Sequence, residues 1–449
     1  MNILLLIPPN KKGFIRDVYY GCWHRRKFLS YSWPPIGLYQ LAAILDEHAV
    51  LILDGTILGR GHVVSAIRAF RPDVIVLGSG TFTMDDDLEF LKSLKCSAPV
   101  IMYGECTAGE PAECLRRGAD YVIRGEPEAV VADLIGNLES PRFLKGLDGV
   151  CFGRHISKKT ALVSNLDSLP VPKRPLADAP KYSNPLAISA PFTTMLVSRG
   201  CPYSCSFCTV PLVYGSKYRR RSVGSVIGEL SVLQKEGYRE ILFRDENLTL
   251  DGAFILALCK KMAEMKPGLT WICNSRADTV NGQVIRAMRK AGCHLVKFGV
   301  ESGNDTILKK INKRIAVSQI RRAFQLCHDE GVGTLAHFII GNPGDTDETI
   351  GQTIEFAIEL DPLYASFDVF LRYPNSPIDD ADLCQISPAG LRKWHDLAFR
   401  RFYLRPRLLA KHILAAESFS MLVRRAHDTA ALWLAFLRGR RSPADLSLL

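Results

Sequence analysis

Residues 199–209 read Arg-Gly-Cys-Pro-Tyr-Ser-Cys-Ser-Phe-Cys-Thr, which sets Cys201, Cys205 and Cys208 at C-x3-C-x2-C spacing. With cysteine at 13 of 449 positions, chance would give this spacing about once in a hundred such chains. Three thiolates this close form a soft-ligand site suited to an iron–sulfur cluster or zinc. A closed structural zinc site needs a fourth Cys or His, and none follows within the loop. A four-iron cluster held by three cysteines keeps one iron open to bind something else. That is a catalytic arrangement rather than a purely electron-carrying one.

The preceding run, residues 193–198 (Thr-Thr-Met-Leu-Val-Ser), is apolar and β-prone and reads as a buried strand. The cysteines leave its C-terminal end, where α/β barrels and open α/β sheets carry their chemistry. Further strands are predicted at 240–243, 270–273, 294–300, 333–340 and 365–371. Helices are predicted at 223–236, 251–265, 284–290, 318–330 and 348–359. Upstream, apolar runs at 2–7, 50–54, 73–78, 99–103 and 120–123 alternate with helical segments at 36–47, 62–70, 85–93 and 109–117. That alternation predicts a doubly wound parallel sheet with ligand-binding loops at 8–35, 54–59, 78–84 and 104–109. Between the two α/β units, residues 141–190 are punctuated by Pro170, Pro172, Pro175, Pro180 and Pro185 and read as a linker, with a hairpin near 150–163.

These residues resemble the radical S-adenosylmethionine (SAM) enzymes, whose hallmark is this cysteine spacing with an aromatic residue, here Phe207, before the last cysteine. The first unit resembles the cobalamin-binding domain that precedes the radical SAM domain in many of them. The matching pieces are Pro8-Pro9, Pro34-Pro35-Ile36-Gly37-Leu38, Leu41-Ala42-Ala43, Asp54, Gly78-Ser79-Gly80 and Gly125-Glu126-Pro127-Glu128. The fold class that follows is α/β: a Rossmann-like doubly wound sheet over 1–140 and a linker over 141–190. A six-unit partial (β/α) barrel occupies 191–385, and a helical basic region 386–449.

The resemblance implies a 4Fe-4S cluster on Cys201, Cys205 and Cys208, with SAM on the open iron and cleaved to a 5′-deoxyadenosyl radical. Many relatives with both domains are methylases. Others cyclise or rearrange their substrates, with or without cobalamin. Asp245 and Glu246 are expected to receive the SAM ammonium, and Arg276 its carboxylate. Glu301 is expected on the ribose, and the backbone at Gly341 along the adenine. Ser79, Thr83 and Gly104 are the expected cobalamin contacts. The chain lacks D-x-H-x-x-G, so cobalamin is expected base-off, without a protein histidine. It has Gly104-Glu105-Cys106-Thr107 where relatives usually show Gly-Gly-x-His, and Tyr373-Pro374-Asn375-Ser376-Pro377 where they often show Pro-Gly-Thr.

No run of eighteen or more uncharged apolar residues occurs, so no membrane span is expected. Residues 1–9 lack the features of a signal peptide. The cysteines are odd in number and irregularly spaced, which fits a reducing cytosol. Net charge is +11, and residues 391–449 contribute 12 basic against 4 acidic residues. Amphipathic helices with basic edges are expected there, suited either to an anionic membrane surface, and so to a lipid or other small-molecule substrate, or to packing over the barrel with a solvated face. Nucleic acid is not the expected partner, because no aromatic–basic repeat is visible. An external reductant such as flavodoxin or ferredoxin is implied. A cluster-bearing sensor without turnover is the reading from outside enzymology, and the SAM-type loops at successive strand ends argue against it.

Overall fold

The computed structural model describes residues 1–10, 14–15, 24–25, 32–373 and 378–408. The first sheet begins with β1 (Asn2–Ile7), buried along Ile3 to Ile7. Such an unbroken apolar run is what a strand covered on both faces requires. β2 (Ala49–Asp54), β3 (Val74–Gly78), β4 (Val100–Tyr103) and β5 (Tyr121–Ile123) join it in the order β2-β1-β3-β4-β5, all parallel. Helices α1 (Ile36–Ile44), α2 (Arg60–Phe70), α3 (Met84–Leu94), α4 (Glu105–Gly109) and α5 (Pro111–Arg117) connect them. The strand order reverses between β1 and β3, so the ligand crevice of the doubly wound sheet lies over the loops leaving those two strands.

Two local expectations change. The helix predicted over 109–117 is α5, and the loop predicted over 104–109 is instead the short helix α4. Pro111 has no N–H to continue α4 and begins α5 instead. The hairpin expected near 150–163 is reduced to a tight turn closed by one antiparallel bridge, Phe152 to His155. Residues 150–152 become β6 (Val150–Phe152), antiparallel on the edge strand β5, and Ala161 bridges Gly125. The short edge of β5 is thereby covered.

The rest of the linker is a strap against both units. Gln40 donates to the Pro170 carbonyl at 2.7 Å, and the Arg174 guanidinium is fully buried between the Thr194 carbonyl and Glu229.

The second sheet contains β7 (Phe192–Met195), then β10 (Glu240–Phe243), β11 (Thr270–Ser275), β12 (Cys293–Glu301), β13 (Gly333–Ile340) and β14 (Tyr364–Val369), all parallel and ordered β14-β13-β12-β11-β10-β7. Between β7 and β10 a two-residue ribbon intervenes, β8 (Ser198–Arg199) antiparallel to β9 (Arg219–Arg220). The helices of this unit are α6 (Val210–Tyr214), α7 (Val223–Lys235), α8 (Gly252–Glu264), α9 (Gly282–Lys290), α10 (Asp305–Lys310), α11 (Val317–Asp329), α12 (Asp347–Leu360) and α13 (Pro388–Tyr403). Local chemistry starts them: Asp251, Asn281 and Thr346 each cap a helix through a side-chain oxygen.

β7 and β14 do not pair, so the barrel is partial. Its lower lumen is plugged by Leu242, Ile272, Leu295 and Leu335, with Trp33 and the linker's Tyr182 and Leu186 packed into the same cluster. The first unit thus reaches the barrel, the Pro34 carbonyl accepting the Thr194 hydroxyl of edge strand β7 at 2.8 Å. α13 closes the described part of the barrel, its Tyr403 hydroxyl donating to the Ala365 carbonyl at 2.7 Å. The expected basic helices beyond it fall on residues 409–449, outside the described residues, as do residues 374–377.

Candidate active site

The strand expected over 193–198 stops at Met195 because a side chain takes its next amides. The Asp245 carboxylate, fully buried after β10, accepts the N–H of Val197 at 3.2 Å and both the N–H and hydroxyl of Ser198 at 2.5 Å. Burial pushes its carboxyl up to about 6. Asp245 is thus spent on the backbone that launches the cysteine loop. Gly200 follows with φ 83°, and a Cβ there would lie 2.3 Å from the Lys217 carbonyl oxygen. Only glycine fits that close approach.

The loop is braced from the barrel. Ser206 N–H donates to the Ile311 carbonyl at 3.0 Å, and Asn312 Nδ2 donates to the Ser204 carbonyl at 2.8 Å. Phe207 packs on the barrel core. All three cysteines are free and half-buried. Burial raises the Cys208 thiol, and Cys205, Cys201 and Glu246 raise it further. Among the described residues no three His, Cys, Asp or Glu side chains close into a cage for one ion. A tetrahedral zinc would need its sulfurs about 3.8 Å apart, given Zn–S bonds of about 2.3 Å. Three soft ligands on one loop suit a cluster, in which each takes a different iron.

Beside the loop, Glu246 has both carboxylate oxygens sealed from solvent with no hydrogen-bond partner. The residue as a whole keeps some surface, but the oxygens do not, and burial pushes the carboxyl up to about 8. A buried carboxylate with nothing to bind is costly unless a donor or cation arrives. The Asn342 Oδ1 is a second sealed and unpartnered acceptor, while its Nδ2 donates to the Ile339 carbonyl at 2.7 Å. Asn247 Nδ2 is an unpartnered donor in the same region. These orphaned atoms fit a polar ligand such as SAM.

Arg276 is tied down in place. It bonds Asp278 through two nitrogens at 2.9 Å, donates to the Lys313 carbonyl at 2.8 Å, stacks 3.6 Å over the Tyr203 ring, and approaches Cys205 Sγ at 3.8 Å. Glu301, at φ 67°, accepts from the Lys313 ammonium at 2.8 Å, and both are buried. Gly341, at φ 81°, donates its N–H to Asp345 at 3.1 Å. Lys313 and Tyr203 escaped the sequence reading. Tyr203 lies inside the cysteine motif, but nothing in the pattern distinguishes Lys313 from Lys309 or Lys310.

In the first unit, Ser79 and Thr83 turn inward. Their hydroxyls donate to the fully buried Asp87 at 2.6 and 3.0 Å, so they shape the loop after β3 rather than present side chains above it. Gly104, at φ 131°, opens α4. Cys106 is buried beside Cys114 in the core below. His62 is exposed on α2, and His48 sits before β2 at the end of the sheet away from the loops. His24 lies within the loop that leaves β1, on the two-residue strand His24–Arg25. A flat macrocycle fits the small residues of the crevice loops.

The radical SAM superfamily profile matches residues 195–357, and a B12 binding domain profile matches residues 29–135. A protein of Pyrococcus horikoshii, described as an uncharacterized methyltransferase, is 31% identical over 95% of this chain and 97% of its own length. The anaerobic magnesium-protoporphyrin IX monomethyl ester cyclase of Rubrivivax gelatinosus is 25% identical over 77% of this chain and 66% of its own. In three dimensions the chain resembles the radical SAM methyltransferase TsrM of Kitasatospora setae, solved with cobalamin and a 4Fe-4S cluster. The TM-score is 0.67 at 18% identity, covering 83% of this chain and 72% of that one. The chain belongs to the radical SAM enzymes that carry a cobalamin-binding domain. As a member of that family it is an enzyme that uses a 4Fe-4S cluster, SAM and cobalamin.

Proposed function

We propose that this enzyme methylates an unactivated carbon of a lipid or other small metabolite, with cobalamin as the methyl carrier. The observation that carries the reading is the contact between α6, which follows the third cysteine, and α4, which Gly104 opens. The cluster loop and a cobalamin loop are neighbours, as a reaction using both requires. When bound, the reduced cluster and SAM supply a radical that abstracts hydrogen, and cobalamin supplies the methyl group.

The chain's own residues hold and shield the reactants. Cys201, Cys205 and Cys208 ligate the cluster. Glu246 receives the SAM ammonium on its two unpartnered oxygens, with Asn342 and Asn247 as further polar contacts. Asp245 keeps the loop's first amides fixed instead of touching SAM. Arg276 places a permanent positive charge beside Cys205. Glu301, held by Lys313, faces the ribose, and Gly341 lies along the adenine. Gly104 and the Ser79–Thr83 turn provide backbone for cobalamin. The apolar plug below keeps water from the lumen.

Among the described residues no helix is long and apolar enough to cross a membrane. We place the enzyme in the reducing cytosol, with residues 409–449 as its contact with a membrane surface and a flavodoxin or ferredoxin as reductant. The test is anaerobic turnover with methyl-deuterated SAM, hydroxocobalamin and a panel of polyisoprenoids and phospholipids. Deuterated methyl in a product, with release of both S-adenosylhomocysteine and 5′-deoxyadenosine, supports methylation. A product lacking the label, with 5′-deoxyadenosine alone, favours the second reading, an oxidative cyclisation, which the similarity to the cyclases supports.

A further inference from the structure

The ribbon that brackets the cysteine loop sets two arginines directly opposite each other, Arg199 on β8 and Arg219 on β9. Like charges so paired repel, and a guanidinium cannot discharge by losing a proton. Both side chains are nearly sealed, at 4% and 8% exposure. Their counter-charges come from the other unit, in the turn after β5. Glu126 accepts from Arg199 at 3.2 Å and from Arg219 at 2.5 Å, and Glu128 accepts from Arg199 at 2.8 Å. Both carboxylates are fully buried. The Glu126 backbone is itself fixed, its N–H bonding the Ala161 carbonyl at 2.9 Å while its side chain accepts from Val163 N–H at 2.9 Å.

The apolar packing follows the same division. Val210, Val213 and Tyr214 of α6 belong to the core built on Ile3, Leu5 and Ile7 of the first sheet, and Cys201 and Cys208 pack against that core. The cysteine loop therefore has one wall from the barrel, through Phe207, and one from the cobalamin-binding unit.

We propose that Glu126 and Glu128 are positioning residues for the cluster: by neutralising Arg199 and Arg219 they hold the cysteine loop in its ligating shape. The barrel alone does not define that shape. This rests on the assignment of the three cysteines as cluster ligands and is independent of what the enzyme methylates.

The test uses the full reconstituted chain and follows iron release to a chelator at a temperature where circular dichroism shows each variant folded. Glu126→Gln keeps the shape and removes the charge. It is expected to release iron about tenfold faster, as for loss of a buried charge-assisted hydrogen bond. Arg199→Lys keeps the charge but cannot bridge two carboxylates with one planar fork, and its rate is expected to fall between. If Glu126→Gln does not fold, Glu128→Gln and Arg199→Lys decide the matter. Wild-type release rates in the folded variants, or faster release only in proportion to unfolding, would overturn the proposal. A wild-type chain that takes up no iron overturns it together with the cluster assignment. Loss of cobalt binding alone would sink the methylation reading and leave the comparison of iron release intact.

Discussion

Asp245 and Ser198 are locked together, with one carboxylate oxygen accepting both the Ser198 N–H and its hydroxyl at 2.5 Å, 47 residues apart in the chain. The adjacent Glu246 has no such partner. Two neighbouring acids thus divide between holding the loop and waiting for a ligand. Asp245→Ala strands the buried amides of Val197 and Ser198 and should cost about 2–4 kcal/mol. The expected result is a lower melting temperature, with Asp245→Asn intermediate. An unchanged melt would count against this role.

Glu246→Gln should stabilise the cofactor-free chain while abolishing SAM binding. The folded carboxyl titrates near 8 against an ordinary value of 4.5. The folded state therefore holds the proton more tightly, and this group's contribution to stability falls as pH rises from about 4.5 to about 8. The penalty above pH 8 is of the order of a few kcal/mol. Melting curves of the two proteins should converge at pH 5 and separate at pH 8, with the variant higher. Equal melts at pH 8, or retained SAM affinity, would contradict the assignment.

Lys313→Met should destabilise more than either the paired change or Glu301→Gln alone. It leaves the buried Glu301 carboxylate without its cation, a loss of about 3–5 kcal/mol. Adding Glu301→Gln should recover most of it. Chemical denaturation of the three variants reads this directly, and simple additivity would argue against a coupled pair.

Arg276→Gln should make the cluster harder to reduce. A fixed positive charge against Cys205 favours the added electron. At an effective dielectric near 20 its removal shifts the potential by roughly 50–100 mV to more negative values. A redox titration followed by EPR measures the shift, and an unmoved midpoint would place the charge elsewhere in effect.

The cysteine spacing and the strand–helix alternation were legible because soft-ligand loops and buried parallel strands leave local patterns. β10 and β13 fall on the predicted residues without change. What stayed hidden was set by contacts distant in sequence. The carboxylate of Asp245 ends β7 early, Ser79 and Thr83 turn in to Asp87, and β6 covers a sheet edge from within a proline-rich linker. Glu246 was legible only as one of two adjacent acids, since burial and partner choice separate them. The Gly-Glu-Pro-Glu turn was visible as a motif, but its pairing with Arg199 needed the two units in contact.

The central claim is that one chain holds both cofactors side by side. Anaerobic reconstitution with iron, sulfide and hydroxocobalamin, then desalting and EPR of the reduced protein, tests it most directly. About four irons and one base-off cobalamin per chain are predicted. Four irons with no retained cobalt would contradict the claim and leave a radical SAM enzyme whose first domain serves another purpose.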